Sequence, residues 1–383
     1  MFESALKGFL EGINHFSAGQ AVMILVGILL IYLAIKHGVE PLLLIPIGFG
    51  AILVNLPLTE LMKESEIWNE KGLLRIIYEA GILTEIFPCL IFIGIGAMAD
   101  FSPLLANPRI LFLSAAGQFG IFLTVILALQ LGFTKLEACS IGIIGACDGP
   151  TSIYFSSRYA RDLLGAISVA AYSYMALVPI IQPPLMRLLT TRKERTTRMD
   201  TLKVSVSTPV KIIFPIVVTI FTCLIAPKGA PLIGMLMLGN FLKESGVVQR
   251  LAQSAQNELI NVVTLLLGIC IGATMSADIF LKETTLKIFA LGLVAIVLDT
   301  VCGVLLGKIM YRFSKGKINP LIGAAGISAF PMSARVVQRE GQRADPQNFL
   351  LMHAVSVNAG GQIGSVMAAA IMLSTLSGMG IIS

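Results

Sequence analysis

Charge is scarce in this sequence. Asp, Glu, Lys and Arg make up 13% of 383 positions, against about 25% in a soluble domain. A chain with so little charge cannot cover a wet surface of ordinary size, so no part of it reads as a soluble domain large enough to work alone. Motifs for nucleotide or zinc chemistry are missing as well: there is no GxxxxGK[ST] loop and no HExxH helix. The string GIGAMA at Gly94 resembles a dinucleotide loop only in spelling, because it lies inside an apolar run and follows no strand. Cys89, Cys139, Cys147, Cys223, Cys270 and Cys302 stand in apolar segments without CxxC spacing, which argues against disulfides and against a transition-metal site. The stretch Met1–Gln20 lacks the basic, then apolar, then small pattern of a cleaved leader. Its Glu3, Lys7, Glu11 and His15 among apolar residues predict a short interfacial amphipathic helix.

What the sequence does have is long apolar runs from one end to the other. Hydrophobic residues reach 56% and the mean hydropathy is +0.86. Ala21–Ile35, Leu111–Leu131, Ile212–Ala226, Leu259–Gly272 and Lys287–Ile309 are the clearest runs. The expected fold is an all-α polytopic membrane protein with about ten membrane segments, each needing some 20 apolar residues or fewer where a helix is broken. The net charge of +6 is not a nucleic-acid signature, because the basic residues gather between spans. Arg187, Arg192, Lys193, Arg195, Arg198, Lys203 and Lys211 crowd one loop against only Glu194 and Asp200. Such a loop stays in the cytoplasm of a cell with an inner membrane and divides the chain in two.

The two parts repeat one another. Ile141–Ser152 (IGIIGACDGPTS) and Ile322–Ser333 (IGAAGISAFPMS) share Ile, two Gly, Pro and Ser in register. The flanks agree in order, GIGAMAD at Gly94–Asp100 with GATMSAD at Gly272–Asp278, and Arg158 with Arg339. We therefore expect two inverted repeats containing broken, re-entrant-like helices. Four regions follow: 1–78 with the interfacial helix and first spans, 79–190 as the first repeat, 191–258 as basic loop, connecting spans and polar linker, and 259–383 as the second repeat. A helix interrupted at membrane depth exposes carbonyls and amides that are tolerable only where they line a cavity or hold an ion. Gly142, Gly145, Gly149 and Pro150 interrupt the first segment, and Gly323, Gly326 and Pro331 the second.

Several polar residues stand inside these apolar segments. Asp148, in IIGACDGP, is costly at membrane depth and should face a cavity and a cation; it is also well placed to cap the helix restarting after Pro150. Asp299, in AIVLDTVCG, has no acidic counterpart in the first half, where Gln118 lies nearby in the alignment. It reads as a second ion or proton site or as an acid bonded to a neighbouring helix. Asp100 and Asp278 sit at matching helix ends and read as caps. Asn358, in VSVNAGGQIGS, offers a neutral hard oxygen suited to Na+. Asn319 opens the second broken segment, Ser328 lies at its kink, and Arg335 after Pro331 is either a loop charge or a partner for an anionic group. Tyr174 is mid-span, either an interfacial aromatic or a proton carrier. His353 reads as the solvent-facing start of the last span rather than as a proton relay.

The segments IGIIGACDGPTSIY, AYSYMALVPIIQPPLMRLLTT, NELINVVTLLLGICIGATM and NPLIGAAGISAFPMSARV resemble the β subunit of the sodium-pumping biotin-dependent decarboxylases. These are the oxaloacetate, glutaconyl-CoA, methylmalonyl-CoA and malonate decarboxylase complexes. The likeness runs from about Glu79 to Ser374, with Cys147 where a small alanine-like residue is expected. It implies a subunit that receives carboxybiotin from a biotin-carrier protein or domain, releases CO2 with uptake of a proton, and exports Na+. It also implies a carboxyltransferase α subunit and a small membrane γ/δ subunit as partners, with a homo-oligomer of this chain in the complex. Asp148 is implied as the central Na+ ligand and coupling residue, and Asn358 as a further ligand. Asn319, Gly323, Ser328 and Arg335 are implied as essential, and Tyr174 as lying near the site. Asp299 matches no motif of that family.

Moving one charge against ~100 mV costs about 2.3 kcal/mol. With no nucleotide or redox motif, the drive must come from another ion gradient or from an exergonic partner reaction. The competing reading is a Na+-coupled secondary carrier of organic anions with no chemistry of its own, which would show the same periodicity. The acid decarboxylated is not written in this chain, since that choice lies in the carboxyltransferase.

Overall fold

The computed structural model describes residues 11–12, 14–38, 40–200 and 206–382. The expected N-terminal interfacial helix lies mostly outside the described residues, as does Lys203 of the basic loop. The chain is 79% helical, with no strand among the described residues.

The first half opens with α1 (Ala18–His37) and α2 (Pro41–Val54), then α3 (Leu73–Tyr78), which runs through a π turn at Glu79–Leu83 into α4 (Ile86–Met98). A short α5 (Ser102–Ala106) follows, capped by Asp100 through the Ser102 N–H at 2.9 Å. Next come α6 (Leu111–Ala116) and α7 (Phe119–Gln130), two pieces of one span, and α8 (Lys135–Gly142), which tightens into a 3-10 turn at Ile143–Ala146. The half closes with α9 (Gly149–Tyr159) and the long α10 (Leu164–Leu189).

After α11 (Arg192–Arg195) in the basic loop, the same order of elements returns. There are α12 (Thr208–Ile225), α13 (Ala230–Glu244), and α14 (Gln249–Ser254) running through a second π turn, Ala255–Leu259, into α15 (Ile260–Ala273). A short α16 (Ala277–Phe280) carries Asp278 in its first turn and precedes α17 (Glu283–Phe313). A 3-10 stretch, Pro320–Gly326, leads to α18 (Met332–Ala344) and the last span, α19 (Leu351–Gly378).

Among the described residues, six helices are long and apolar enough to cross a membrane, and eight are if each of two bent pairs is one span. One bend, of 59°, separates Leu73–Leu83 from Ile86–Met98. The other, of 60°, falls between Met175 and Leu177, where Pro179 cannot donate to the carbonyl four residues back. Length and composition thus support six to eight crossings, against the about ten read from sequence. The remaining apolar helices, α2 with 14 residues and α13 with 15, are short for a span. The outward faces are apolar. On α12, Ile213, Val217, Ile220, Phe221 and Leu224 are all more than half exposed, a surface that water would not tolerate and lipid solvates.

Glycines set the two closest crossings. A Cβ on Gly50 of α2 would stand 2.2 Å from the Ile269 carbonyl oxygen, and one on Gly272 of α15 2.0 Å from that of Ile47. The α4–α13 pair repeats the arrangement: a Cβ on Gly96 would stand 1.9 Å from the Leu236 carbonyl oxygen, and one on Gly239 1.9 Å from that of Ile93. In lipid, where apolar burial no longer drives helices together, such backbone approach supplies the packing energy. Each pair joins a helix of the first half to one of the second.

Candidate functional site

The second broken segment is a hairpin with both ends on the side of the basic loop. At its start Asn319 caps the 3-10 stretch, its Oδ1 accepting the Leu321 N–H at 3.0 Å. Its Nδ2 donates to the carbonyls of Arg195 and Thr197, at 3.0 and 2.8 Å. The stretch then passes α17 so closely that a Cβ on Gly323 would sit 2.0 Å from the Gly303 carbonyl oxygen. It turns at Ser328–Pro331 and returns as α18. Near the far end of α18, Arg187 donates twice to the buried Glu340, at 2.6 and 2.5 Å, and Arg198 pairs with Asp345 at 2.7 Å.

The first broken segment approaches from the other side. The end of α9 is tied to the start of α10 by the Arg161 Nε–H donating to the Ser157 carbonyl at 3.0 Å. From there α10 runs 26 residues, about 39 Å at 1.5 Å per residue, to reach the basic loop. The two tips meet in the interior: the Ser328 N–H donates to the Ala146 carbonyl at 2.8 Å.

Breaking the second segment frees its last carbonyls, and buried side-chain amides take them up. Gln182 donates to Ala324 O at 2.7 Å, Gln118 to Gly326 O at 2.8 Å, and Asn358 to Ile327 O at 2.6 Å. Gln362 donates to Ser328 O. The Ser328 hydroxyl itself donates to Gly361 O at 2.8 Å.

Asp148 occupies the tip of the first hairpin, after Cys147 in the left-handed region at φ 52°. Its carboxylate is buried and caps α9. Oδ1 accepts the Thr151 N–H at 3.2 Å, while Oδ2 accepts the hydroxyls of Thr151 at 2.8 Å and Ser365 at 2.7 Å. The capping role read from the sequence is present. Asp148 also lines a cavity of about 350 Å³ shared with Ser328, Phe330, Tyr172, Met175 and Gln362. Leu42, Leu43, Ile91, Ile95 and Met98 form its apolar wall, and Gln256, Asn257, Asn261 and Thr264 give it a polar stripe. Among the described residues its charged lining is Asp148 and Glu40, so its field favours cations.

Asp148 and Ser328 are therefore brought together, and Asn358 grips the turn beside them. Asn319 is not at the cavity; both ends of its amide are engaged with backbone at the hairpin's start. Tyr174 is not a lining residue either: its hydroxyl donates to Phe289 O at 2.5 Å and its ring meets that of Phe289 edge-on. Tyr172, two residues earlier, takes the place on the cavity. Its ring lies over Gly149, where a Cβ would come within 2.1 Å. Arg335 is exposed on α18, one turn from Arg339. Pro150 stands in the first turn of α9, and Pro331 directly precedes α18. His353 is buried rather than solvent-facing, its Nε2 3.0 Å from the Asp200 carbonyl.

Asp299 is fully buried in α17, between α7 and the first hairpin. A Cβ on Gly120 would lie 2.5 Å from its Oδ1, and one on Gly145 2.5 Å from its Oδ2. Neither oxygen has a well-aligned donor; the nearest are the N–H groups of Gly120 and Ile121 in the first turn of α7.

Thr151, Ser365, Gln362 and Tyr172 were not singled out from sequence. The signal was there for three of them. Gln362 and Ser365 fall four and seven residues after Asn358, on one helix face. Thr151 holds the third position after an N-cap Asp, where a capping hydrogen bond is expected.

The family profile described as the Na+-transporting oxaloacetate decarboxylase beta subunit matches residues 19–376. The methylmalonyl-CoA decarboxylase subunit beta of Veillonella parvula is 54% identical, with 96% of each chain covered. The glutaconyl-CoA decarboxylase subunit beta of Acidaminococcus fermentans is 53% identical, again over 96% of each. The oxaloacetate decarboxylase beta chain of Klebsiella pneumoniae is 48% identical over 94% of this chain and 96% of its own. With its apolar helices, paired hairpins and these relatives along nearly its whole length, the chain is a multi-pass membrane protein that belongs to the family of Na+-transporting decarboxylase beta subunits.

Proposed function

We propose that this chain is the membrane subunit of a biotin-dependent decarboxylase complex, in which it decarboxylates carboxybiotin and exports Na+. The partners in this reading are a biotin carrier, a carboxyltransferase α subunit, a small membrane γ/δ subunit and further copies of this chain. The observation that carries it is the buried Asp148 carboxylate on a cation-favouring cavity, at the meeting point of two hairpins that reach the interior from opposite sides. Na+ at Asp148 offsets the charge of that carboxylate, which removes its repulsion of the anionic carboxyl group that arrives on biotin. In the reaction the bond between the ureido nitrogen and the carboxyl carbon breaks. Its electron pair stays on the nitrogen, which takes up a proton, and CO2 leaves. A carboxylate gives up its charge in this step, so transfer from water to a cavity walled by Ile91, Ile95 and Met98 favours the reaction. Tyr172 on the cavity is better placed than Tyr174 to pass the proton.

Arg335 serves in this reading as a contact for the carboxyl group or its carrier, on the cytoplasmic side set by the basic loop. The two halves are read as inverted repeats related by a pseudo-two-fold axis in the membrane plane. The returning order of elements and the reciprocal glycine contacts support that relation. The relatives' names favour this function over a carrier without chemistry. Asp148→Asn keeps the size and a capping oxygen but removes the charge. It should abolish Na+-dependent decarboxylation while the protein still inserts and assembles. Full Na+-stimulated activity in membranes carrying this variant would sink the reading.

A further inference from the structure

One face of α19 spans both hairpin tips. Asn358 holds Ile327 O, Gln362 holds Ser328 O, and Ser365 holds the Asp148 carboxylate. Because the Gln362 nitrogen is committed to a carbonyl, which can only accept, its other end is fixed as oxygen. That Oε1 is buried and has no donor, on a residue only 3% exposed.

The amide oxygens of Gln118, Gln182 and Asn358 are orphaned in the same way, since each of these residues also caps a hairpin carbonyl. Only Gln362 among the four lines the cavity that holds Asp148 and Ser328. A buried acceptor with no donor is a position that a cation can fill, and an amide oxygen is a hard, neutral ligand of the kind alkali and alkaline-earth ions take.

We propose that Gln362 is a Na+ ligand of the Asp148 cavity, its Oε1 joining the Asp148 carboxylate and the Ser328 hydroxyl. This rests on the Na+ reading of that cavity given above. The ligand set then draws on both hairpins and on α19, so Na+ ties together three elements at the point where the two tips meet. The same residue would report the ion to the second hairpin, because its nitrogen grips the Ser328 carbonyl.

The test compares Gln362→Met with Gln118→Met and Gln182→Met in the assembled complex. All three variants lose an amide cap on the second hairpin, and only the first changes a residue that lines the cavity. Two quantities are read: the Na+ concentration for half-maximal decarboxylation, and the rise in thermal unfolding temperature of the purified protein in Na+ over K+. The second needs no activity. Gln362→Met should raise the half-maximal Na+ by about 10- to 100-fold and flatten the Na+-specific thermal rise, whereas the other two leave both near wild type. Gln362→Asn, which withdraws the oxygen by one methylene, stands in if the Met variant does not assemble. An unchanged Na+ dependence in the Gln362 variants overturns the proposal, as does an equal shift in all three Met variants, which would mark a purely structural cap. Asp148→Asn separates the layers. If it too leaves Na+ protection intact, the cavity reading fails; if it abolishes protection while Gln362→Met does not, only the ligand role of Gln362 fails.

Discussion

Removing the Arg187 guanidinium should loosen the second hairpin at its base. Glu340 is 4% exposed at the side chain and accepts two charged hydrogen bonds from Arg187, whose own side chain is 40% exposed. Arg343 stands 4.0 Å from Glu340 and is 67% exposed, and Arg192 and Arg195 line the same surface cavity. Breaking a fully buried pair by removing one partner costs about 3–5 kcal/mol. Water reaches the Arg187 side of this pair, and the screening reduces the expected loss for Arg187→Met to about 2 kcal/mol. In Arg187→Met/Glu340→Met the stranded carboxylate is gone and the two methionines pack together. The double variant should therefore be more stable than the sum of the single losses allows, with a coupling of at least about 1 kcal/mol. The assay is unfolding of the purified protein in detergent, with Na+-dependent decarboxylation measured on the same samples. If the two single losses simply add in the double variant, the pair is not what moors α18 to α10.

Two further perturbations follow from other contacts. Gly145→Ala would place a Cβ 2.5 Å from Asp299 Oδ2 and 2.9 Å from the Ala295 Cβ, and overpacking of this kind costs about 1–3 kcal/mol. Adding Asp299→Ala should recover part of that loss in thermal unfolding, and wild-type stability of Gly145→Ala alone would contradict the cradle. The hydrogen bonds from Arg198 and from the Gln347 N–H hold the Asp345 carboxyl below its ordinary value. Their stabilisation is therefore present above the usual carboxylate range, near 3.9, and is lost as pH falls through the depressed value. The stability gap between wild type and Arg198→Ala should be open at neutral pH and close in acid; a gap independent of pH would refute the pairing.

Much of this architecture was legible in the residues themselves. Apolar runs gave the spans, and the shared Gly and Pro pattern of Ile141–Ser152 and Ile322–Ser333 located the two interruptions whose tips meet. Asp148 stood out because a lone carboxylate in IIGACDGP has no cheap place in lipid. Other features were hidden for physical reasons. Asn319 and Ser328 are nine residues apart in one motif, but a 3-10 stretch rises about 2 Å per residue, so they lie at opposite ends of the hairpin. Tyr172 and Tyr174 are equally apolar in context, and only the rotation of α10 about its own axis, roughly 100° per residue, decides which ring faces Gly149. Gln362 and Ser365 matter through what they touch on distant segments, a relation that a helix pattern alone does not carry. The count of crossings stayed soft because α2 and α13 fall between a span and a buried helix in length.

The basic loop deserves to be seen as a fastener. Asn319, where the second hairpin begins, and Asn348, just after it ends, both donate to the carbonyls of Arg195 and Thr197. The 30 residues from Asn319 to Asn348 are thereby gathered onto two peptide groups, with Arg198 and Asp345 closing the ring beside them. Any shift of those two carbonyls therefore pulls on both feet of the hairpin at once, with Arg187–Glu340 left as the returning foot's tie to α10. The pull reaches the other end of the hairpin, where the Ser328 N–H meets the Ala146 carbonyl and Ser328 shares a cavity with Asp148.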